Sequence, residues 1–159
     1  MKDKPPPHTM YPPEVPAFGV TDFWSTNSSP ASKAGSADAC DGPITLEPPS
    51  GGTVLRVVEF PPDRDYIGKW DPYAALVGMD DSGASALATS DPPHEAMHKT
   101  CSANYAFVLS GEIVAVSDTC EQAMRSGDVL AQRGTYHAWS NRTDTPAIVG
   151  FVLFDAQPI

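Results

Sequence analysis

From residue 96 onward, short stretches of alternating apolar and polar positions follow one another, separated by glycine and polar turns. That rhythm predicts strands over 104–109, 112–116, 128–132, 136–140 and 147–154, with a hairpin turn at Ser110-Gly111. Upstream, residues 53–60 alternate cleanly. Val54, Arg56, Val58 and Phe60 share one face, and Leu55, Val57 and Glu59 the other. Residues 43–47 predict a further short strand, ended by a turn through Pro48, Pro49, Gly51 and Gly52. Many short strands between glycine and proline turns predict an all-β antiparallel barrel or jelly roll.

Two stretches break the rhythm. Residues 61–93 hold one short helix, with Asp71 as N-cap and Pro72 as first helical residue, followed by a small-residue loop over 80–93 that reads as a lid or a plain surface loop. Residues 118–125 read as a polar connection. Residues 1–42 are rich in proline, serine, alanine and glycine and predict a mostly irregular N-terminal arm, leaving 43–159 as the barrel domain. Phe18, Phe23 and Trp24 stand out in that arm as anchors onto the barrel or a partner subunit, with plain packing the favoured role.

Composition narrows the function. At 159 residues the chain can bury a core as one domain. A net charge of −10 argues against nucleic acid and anionic membrane as partners. No apolar run reaches membrane-spanning length, and residues 1–7 lack the apolar stretch of a secretory signal. Cys40, Cys101 and Cys120 form no CxxC pair and suit free thiols, so a cytoplasmic location is expected.

The chemistry-bearing residues cluster in 97–141. Residues two apart in a strand face the same way, so His98 points with Thr100, and His137 with Trp139 and Asn141. A closed barrel would bring His98, Thr100, Asn104 and His137 together inside. Imidazole is the usual general acid or base near neutral pH, and two in one apolar pocket would be held neutral. One would take a proton from carbon while the other delivers one to oxygen. Tyr105 and Tyr136 are weaker donors, because alternation turns them to the opposite face. Trp139 either stacks on a flat substrate or fills the core, with the core favoured. Arg56 could hold an acidic ligand from inside the barrel, but an edge or solvent position is favoured for a charged side chain.

The segments M-H-K-T, V-L-S-G-E-I and R-G-T-Y-H-A-W-S-N carry a resemblance to the cupin barrels. The first cupin motif is Gly, five residues, His-x-His, three or four residues, Glu, six residues, Gly. His98 and Gly111 match it, while Pro92, Thr100 and Asn104 replace the first glycine, the second histidine and the glutamate. The second is Gly, five residues, Pro-x-Gly, two residues, His, three residues, Asn. Gly127, Gly134, His137 and Asn141 match it, with Gln132 for the proline and one residue fewer before it. The resemblance is to a small single-domain cupin group of bacteria and filamentous fungi that in fungi accompanies polyketide pathways.

The resemblance implies a small-molecule enzyme of secondary metabolism. The expected reaction is a lyase or isomerase step, such as dehydration, decarboxylation or cyclisation of an enolisable, polyketide-like or aromatic substrate. His98 and His137 would be catalytic, and Thr100, Asn104, Trp139 and Arg56 would bind substrate. No cofactor is required on this reading. One alternative is a metal-dependent dioxygenase holding Fe, Mn, Ni or Zn through His98 and His137, with His94 or Glu95 as replacement ligands. Another is a non-catalytic binding protein. A homodimer is expected in each case, because the outward row of Tyr105 and Phe107 needs cover.

Overall fold

The computed structural model describes residues 8–12, 14–79 and 91–157. In chain order these form β1 (Thr9–Met10), β2 (Gly19–Thr26), β3 (Thr53–Phe60), α1 (Asp63–Tyr66), α2 (Pro72–Val77), β4 (Ser102–Ser110), β5 (Glu112–Ser117), β6 (Glu121–Arg125), β7 (Val129–Gln132), β8 (His137–Ser140) and β9 (Ala147–Asp155). The strand pairings are antiparallel. A six-stranded sheet runs β1-β2-β3-β9-β4-β7, and a three-stranded sheet runs β6-β5-β8. Apolar residues from both close one core: Val54 and Val58 of β3, Val108 of β4, Ile113 of β5, Met124 of β6 and Trp139 of β8. This is the all-β antiparallel fold that the alternation predicts, of the type the cupin resemblance implies.

β3 shows how the pattern sets the faces. Val54, Arg56, Val58 and Phe60 are buried, while Leu55 and Glu59 are exposed. The β4–β5 hairpin turns at Gly111, whose φ is 78°. A side chain there would also come within 2.8 Å of the Pro146 carbonyl oxygen, so glycine is required on both counts. The turn before β3 is closed by Gly52 N donating to the Pro49 carbonyl at 2.8 Å. Asp71 caps α2 as predicted, accepting from Ala74 N at 3.1 Å with Pro72 next in the chain.

Four expectations need correction. The arm is mostly irregular, yet it contributes β1 and β2, and β2 pairs with β3 from Thr53 to Glu59. A boundary at residue 42 therefore falls between two partnered strands. β2 escapes the alternation rule because its register shifts between Asp22 and Trp24, which leaves Phe23 and Trp24 both about half exposed. Phe18 is the residue that anchors the arm, with ring contacts to Phe60, Tyr66 and Trp70. Residues 43–47 form no strand; their backbone serves Arg56 instead. Residues 121–125 are a strand, β6, with only Met124 buried, so an edge strand of polar residues gave no apolar alternation to read. The interruption holds a second short helix, α1, besides the predicted one. Residues 80–90 of the predicted loop lie outside the described residues.

The outer face of the large sheet is apolar. Trp24 pairs with Leu55, Leu55 with Val152 and Val152 with Tyr105, making one row across four strands. Phe107 and Val129 lie opposite each other in a neighbouring row. Trp24, Leu55, Tyr105 and Val129 are all exposed.

Candidate active site

His98 forms an isolated antiparallel bridge with His137, the first residue of β8. Each backbone N–H donates to the other's carbonyl at 2.9 Å. Residues directly opposed in this way project their side chains to the same face. The ring centroids are consequently 4.4 Å apart, with the planes at 47°. Both rings line a partly open cavity of about 140 Å³. Its other walls are largely apolar and include Phe60, Phe151 and Trp139 from the barrel. The helical interruption covers one side through Tyr66, Trp70 and Leu76.

Local hydrogen bonds fix both imidazoles in the same way. His98 Nδ1 is 2.9 Å from the Ala96 carbonyl, and His137 Nδ1 is 2.9 Å from the Thr135 carbonyl. A carbonyl only accepts, so each Nδ1 carries the proton and donates it, leaving Nε2 with a free lone pair. Burial holds the His98 pKa below its ordinary value. His137 is pushed down to about 3, first by burial and then by the charge His98 would carry. At neutral pH the pair is therefore two neutral bases, and a first proton on one disfavours a second on the other.

Thr100, Asn104, Trp139 and Arg56 all line the same cavity. Thr100 Oγ1 lies 2.9 Å from Ser102 Oγ. Asn104 donates through Nδ2 to Gln132 Oε1 at 2.7 Å. Trp139 fills both roles weighed for it, packing on Phe60 and Phe151 while walling the cavity. Arg56 corrects the expectation of an edge or solvent position: it is buried and faces inward. Its guanidinium meets Asp22 through Nε at 2.7 Å and Nη2 at 3.0 Å. It also donates to the carbonyls of Thr45 at 2.6 Å and Leu46 at 3.4 Å. Tyr105 lies on the outer face and Tyr136 beneath Lys99, and neither lines the cavity.

The residues do not fit the four-ligand metal set of complete cupin sites. The imidazoles are suitably tethered through Nδ1, as metal-bound histidines are. The other two positions hold a hydroxyl and a carboxamide, neutral oxygens that bind Fe, Mn, Ni or Zn weakly. Among the described residues no group of three His, Cys, Asp or Glu side chains could hold an ion. Glu95, one candidate replacement, accepts from Trp70 Nε1 at 2.6 Å and from Gly68 N. His94, the other, accepts through Nδ1 from Ala96 N at 3.1 Å and turns Nε2 toward Asp63, 3.7 Å away.

Three supporting residues escape the sequence. Asp22 neutralises Arg56 and stands opposite it in register. Gln132 clamps Asn104, again as its direct cross-strand partner. Asp63 ties α1 to the end of β8 by accepting from Ser140 Oγ at 2.5 Å and from Asn141 N at 2.8 Å. Burial raises the Asp63 carboxyl, but the nearby His94 imidazole and the hydrogen bonds from Ser140 and Asn141 outweigh it and hold the pKa below the usual range. Asn141 fixes a turn, as predicted, by donating to the carbonyls of Phe60 and Thr145 at 2.9 Å each. For Asp22 and Gln132 the sequence signal is register, visible once strands are paired.

No family model matches the chain. It is 32% identical over 143 residues to phomopsin biosynthesis cluster protein C' of Diaporthe leptostromiformis, covering 86% of this chain. The chain spans only 60% of that relative's length. It is 39% identical over 67 residues to the cupin-domain-containing oxidoreductase virC of Hypocrea virens, which covers 40% of this chain and 34% of the relative. Among solved structures, the Cupin_2 domain of an XRE family transcriptional regulator from Enterobacter cloacae has a TM-score of 0.46 at 14% identity, covering 90% of this chain and 99% of that one. Over the 67 residues shared with virC the chain is similar to a cupin-domain protein, and its two motif-placed histidines meet inside an antiparallel two-sheet fold.

Proposed function

We propose that the protein is a secondary-metabolism enzyme that isomerises or eliminates on a flat, enolisable small molecule by proton transfer through His98 and His137. The observation that carries this is the tethered pair: two neutral Nε2 lone pairs in an apolar cavity, with ring centroids 4.4 Å apart. One imidazole takes the proton α to a carbonyl and becomes imidazolium. Because the cavity disfavours a second charge beside it, the pair holds one proton at a time. That proton returns to the carbonyl oxygen, giving the enol, to another carbon, giving an isomer, or to a departing hydroxyl as water. No external oxidant is needed. The secondary-metabolism setting is drawn from the biosynthesis-cluster relatives, of which the chain spans only part.

α-Tetralone, a flat aryl ketone, tests the proton transfer. In D₂O at neutral pH, chelator-treated protein should accelerate its α-hydrogen exchange, followed by NMR. His98→Gln and His137→Gln should each reduce the acceleration by about 100-fold or more, in line with loss of a general base. Exchange no faster with wild type than with the double variant would overturn the reading. The oxygenase alternative has its own signature, Fe(II)-dependent oxygen consumption with near-stoichiometric iron bound. Ligand binding with neither exchange nor oxygen uptake would favour the non-catalytic alternative.

A homodimer in the cytoplasm is part of the proposal. The apolar row Trp24–Leu55–Val152–Tyr105 can lie against the same row of a second copy under a two-fold axis. Free Cys40, Cys101 and Cys120 suit a reducing compartment. Sedimentation at micromolar concentration should give twice the chain mass, and Tyr105→Glu with Leu55→Glu should give the monomer. A wild-type monomer would contradict the dimer.

A further inference from the structure

The hydrogen-bond network fixes how the amide side chains of the cavity are turned. Gln132 Nε2 donates to the Thr135 carbonyl at 3.2 Å, an oxygen that can only accept. The Gln132 amide is thereby oriented, and its Oε1 accepts from Asn104 Nδ2 at 2.7 Å. Asn104 is oriented in turn. Its Oδ1 is left as a buried acceptor with no partner, in a cavity-lining residue only 4% exposed. Buried acceptors left unpaired are costly, and a native site that keeps one has a use for it.

The neighbouring groups sharpen the demand. His98 and His137 both commit Nδ1–H to backbone carbonyls and add two more acceptors. Arg56 is the cation among the lining residues, but Asp22 neutralises it and its hydrogen bonds use four of its five N–H groups. Thr100, paired with Ser102, is the one lining hydroxyl that can turn either way. A carboxylate or phosphate would therefore meet these acceptors without a net positive charge, and a ketone or ether oxygen placed at Asn104 would face a lone pair.

We infer that the ligand is a neutral aromatic molecule bearing a phenolic or enolic hydroxyl, and that Asn104 is the specificity-determining residue that accepts its O–H through Oδ1. The inference rests on the proton-transfer reading for the identity of the site and adds to it the direction of the reaction. An acceptor that holds the enol and repels the ketone shifts the bound tautomer equilibrium toward the enol.

Calorimetric titration of the chelator-treated full chain with 2-naphthol, 2-methoxynaphthalene and 2-naphthoate tests this. Wild type should prefer 2-naphthol over the ether by roughly ten-fold or more, because a site built to pair an O–H rejects the analogue that lacks it. Naphthoate should bind most weakly. Asn104→Leu should shrink the naphthol preference below about two-fold while keeping affinity for the ether. Gln132→Leu provides a second route if the first variant fails to fold. It frees the Asn104 amide to present Nδ2 to the cavity, and should shift preference toward the ketone 2-acetonaphthone. Equal wild-type affinity for naphthol and its ether, tighter binding of naphthoate, or a preference that survives both substitutions would overturn the inference. Discrimination without α-tetralone exchange would leave this inference standing and remove the enzymatic reading; exchange without discrimination would do the reverse.

Discussion

Arg56→Met is expected to destabilise the fold by about 3–5 kcal/mol, the usual cost of removing one partner from a buried ion pair. The side chains of Arg56 and Asp22 are 6% and 11% exposed. Loss of the guanidinium leaves a largely buried carboxylate without its partner. It also strips the Thr45 and Leu46 carbonyls of their shared donor. Three segments meet at this one cation: β2 through Asp22, β3 through Arg56 itself, and the irregular 43–47 stretch through those carbonyls. The variant should therefore show a lowered urea midpoint and early loosening of the N-terminal arm in hydrogen exchange. The double variant Asp22→Leu, Arg56→Met should recover much of the loss, since an apolar pair replaces the ionic one without stranding a charge. A measured loss below about 1 kcal/mol for Arg56→Met would mean that the pair behaves as a solvated surface contact.

Arg56 also marks how far sequence reasoning reaches. Alternation placed it on the same face as Val54, Val58 and Phe60, and that face is the buried one. General statistics on charged residues then argued for solvent, because the partner was out of sight. Asp22 sits in a segment whose two-residue period is broken by a register shift, so nothing local marked it as a strand residue facing inward. Gln132 and Asn104 tell the same story: each was visible, but their direct pairing across β4 and β7 depends on register. The histidine pair was legible because two motif positions and two strand patterns agreed. Their backbone bridge and their common tether to the carbonyl two residues back were not, since both need coordinates. β6 was lost for a plainer reason. An edge strand with one buried residue carries almost no hydrophobic signal.

The largest pH effect should come from the same two imidazoles. In the folded chain His137 has its pKa pushed down to about 3, whereas in the unfolded chain it titrates near the ordinary value of about 6.5. Between those values the unfolded state binds a proton that the native state refuses, so stability rises with pH through this window and falls on acidification. The contribution is fully present above about pH 6.5. Moving from pH 7 to pH 5 should remove about 2 kcal/mol through His137 alone. His98, lowered by its own burial, acts in the same direction. Asp63 works in a lower window: its depressed carboxyl stabilises above the ordinary aspartate pKa and is lost as pH falls below it. Urea unfolding of chelator-treated protein at pH 7, 6 and 5 isolates the histidine contribution, because the Asp63 window lies below that range. The double variant His98→Gln, His137→Gln should lose the slope between pH 7 and 5 while keeping the acid transition. A wild-type curve flat from pH 7 to 5 would place a solvated imidazole where the structure has a buried one. The proton-transfer chemistry would then lose its neutral bases, since a histidine that charges as freely as in water has no reason to stay neutral beside its twin.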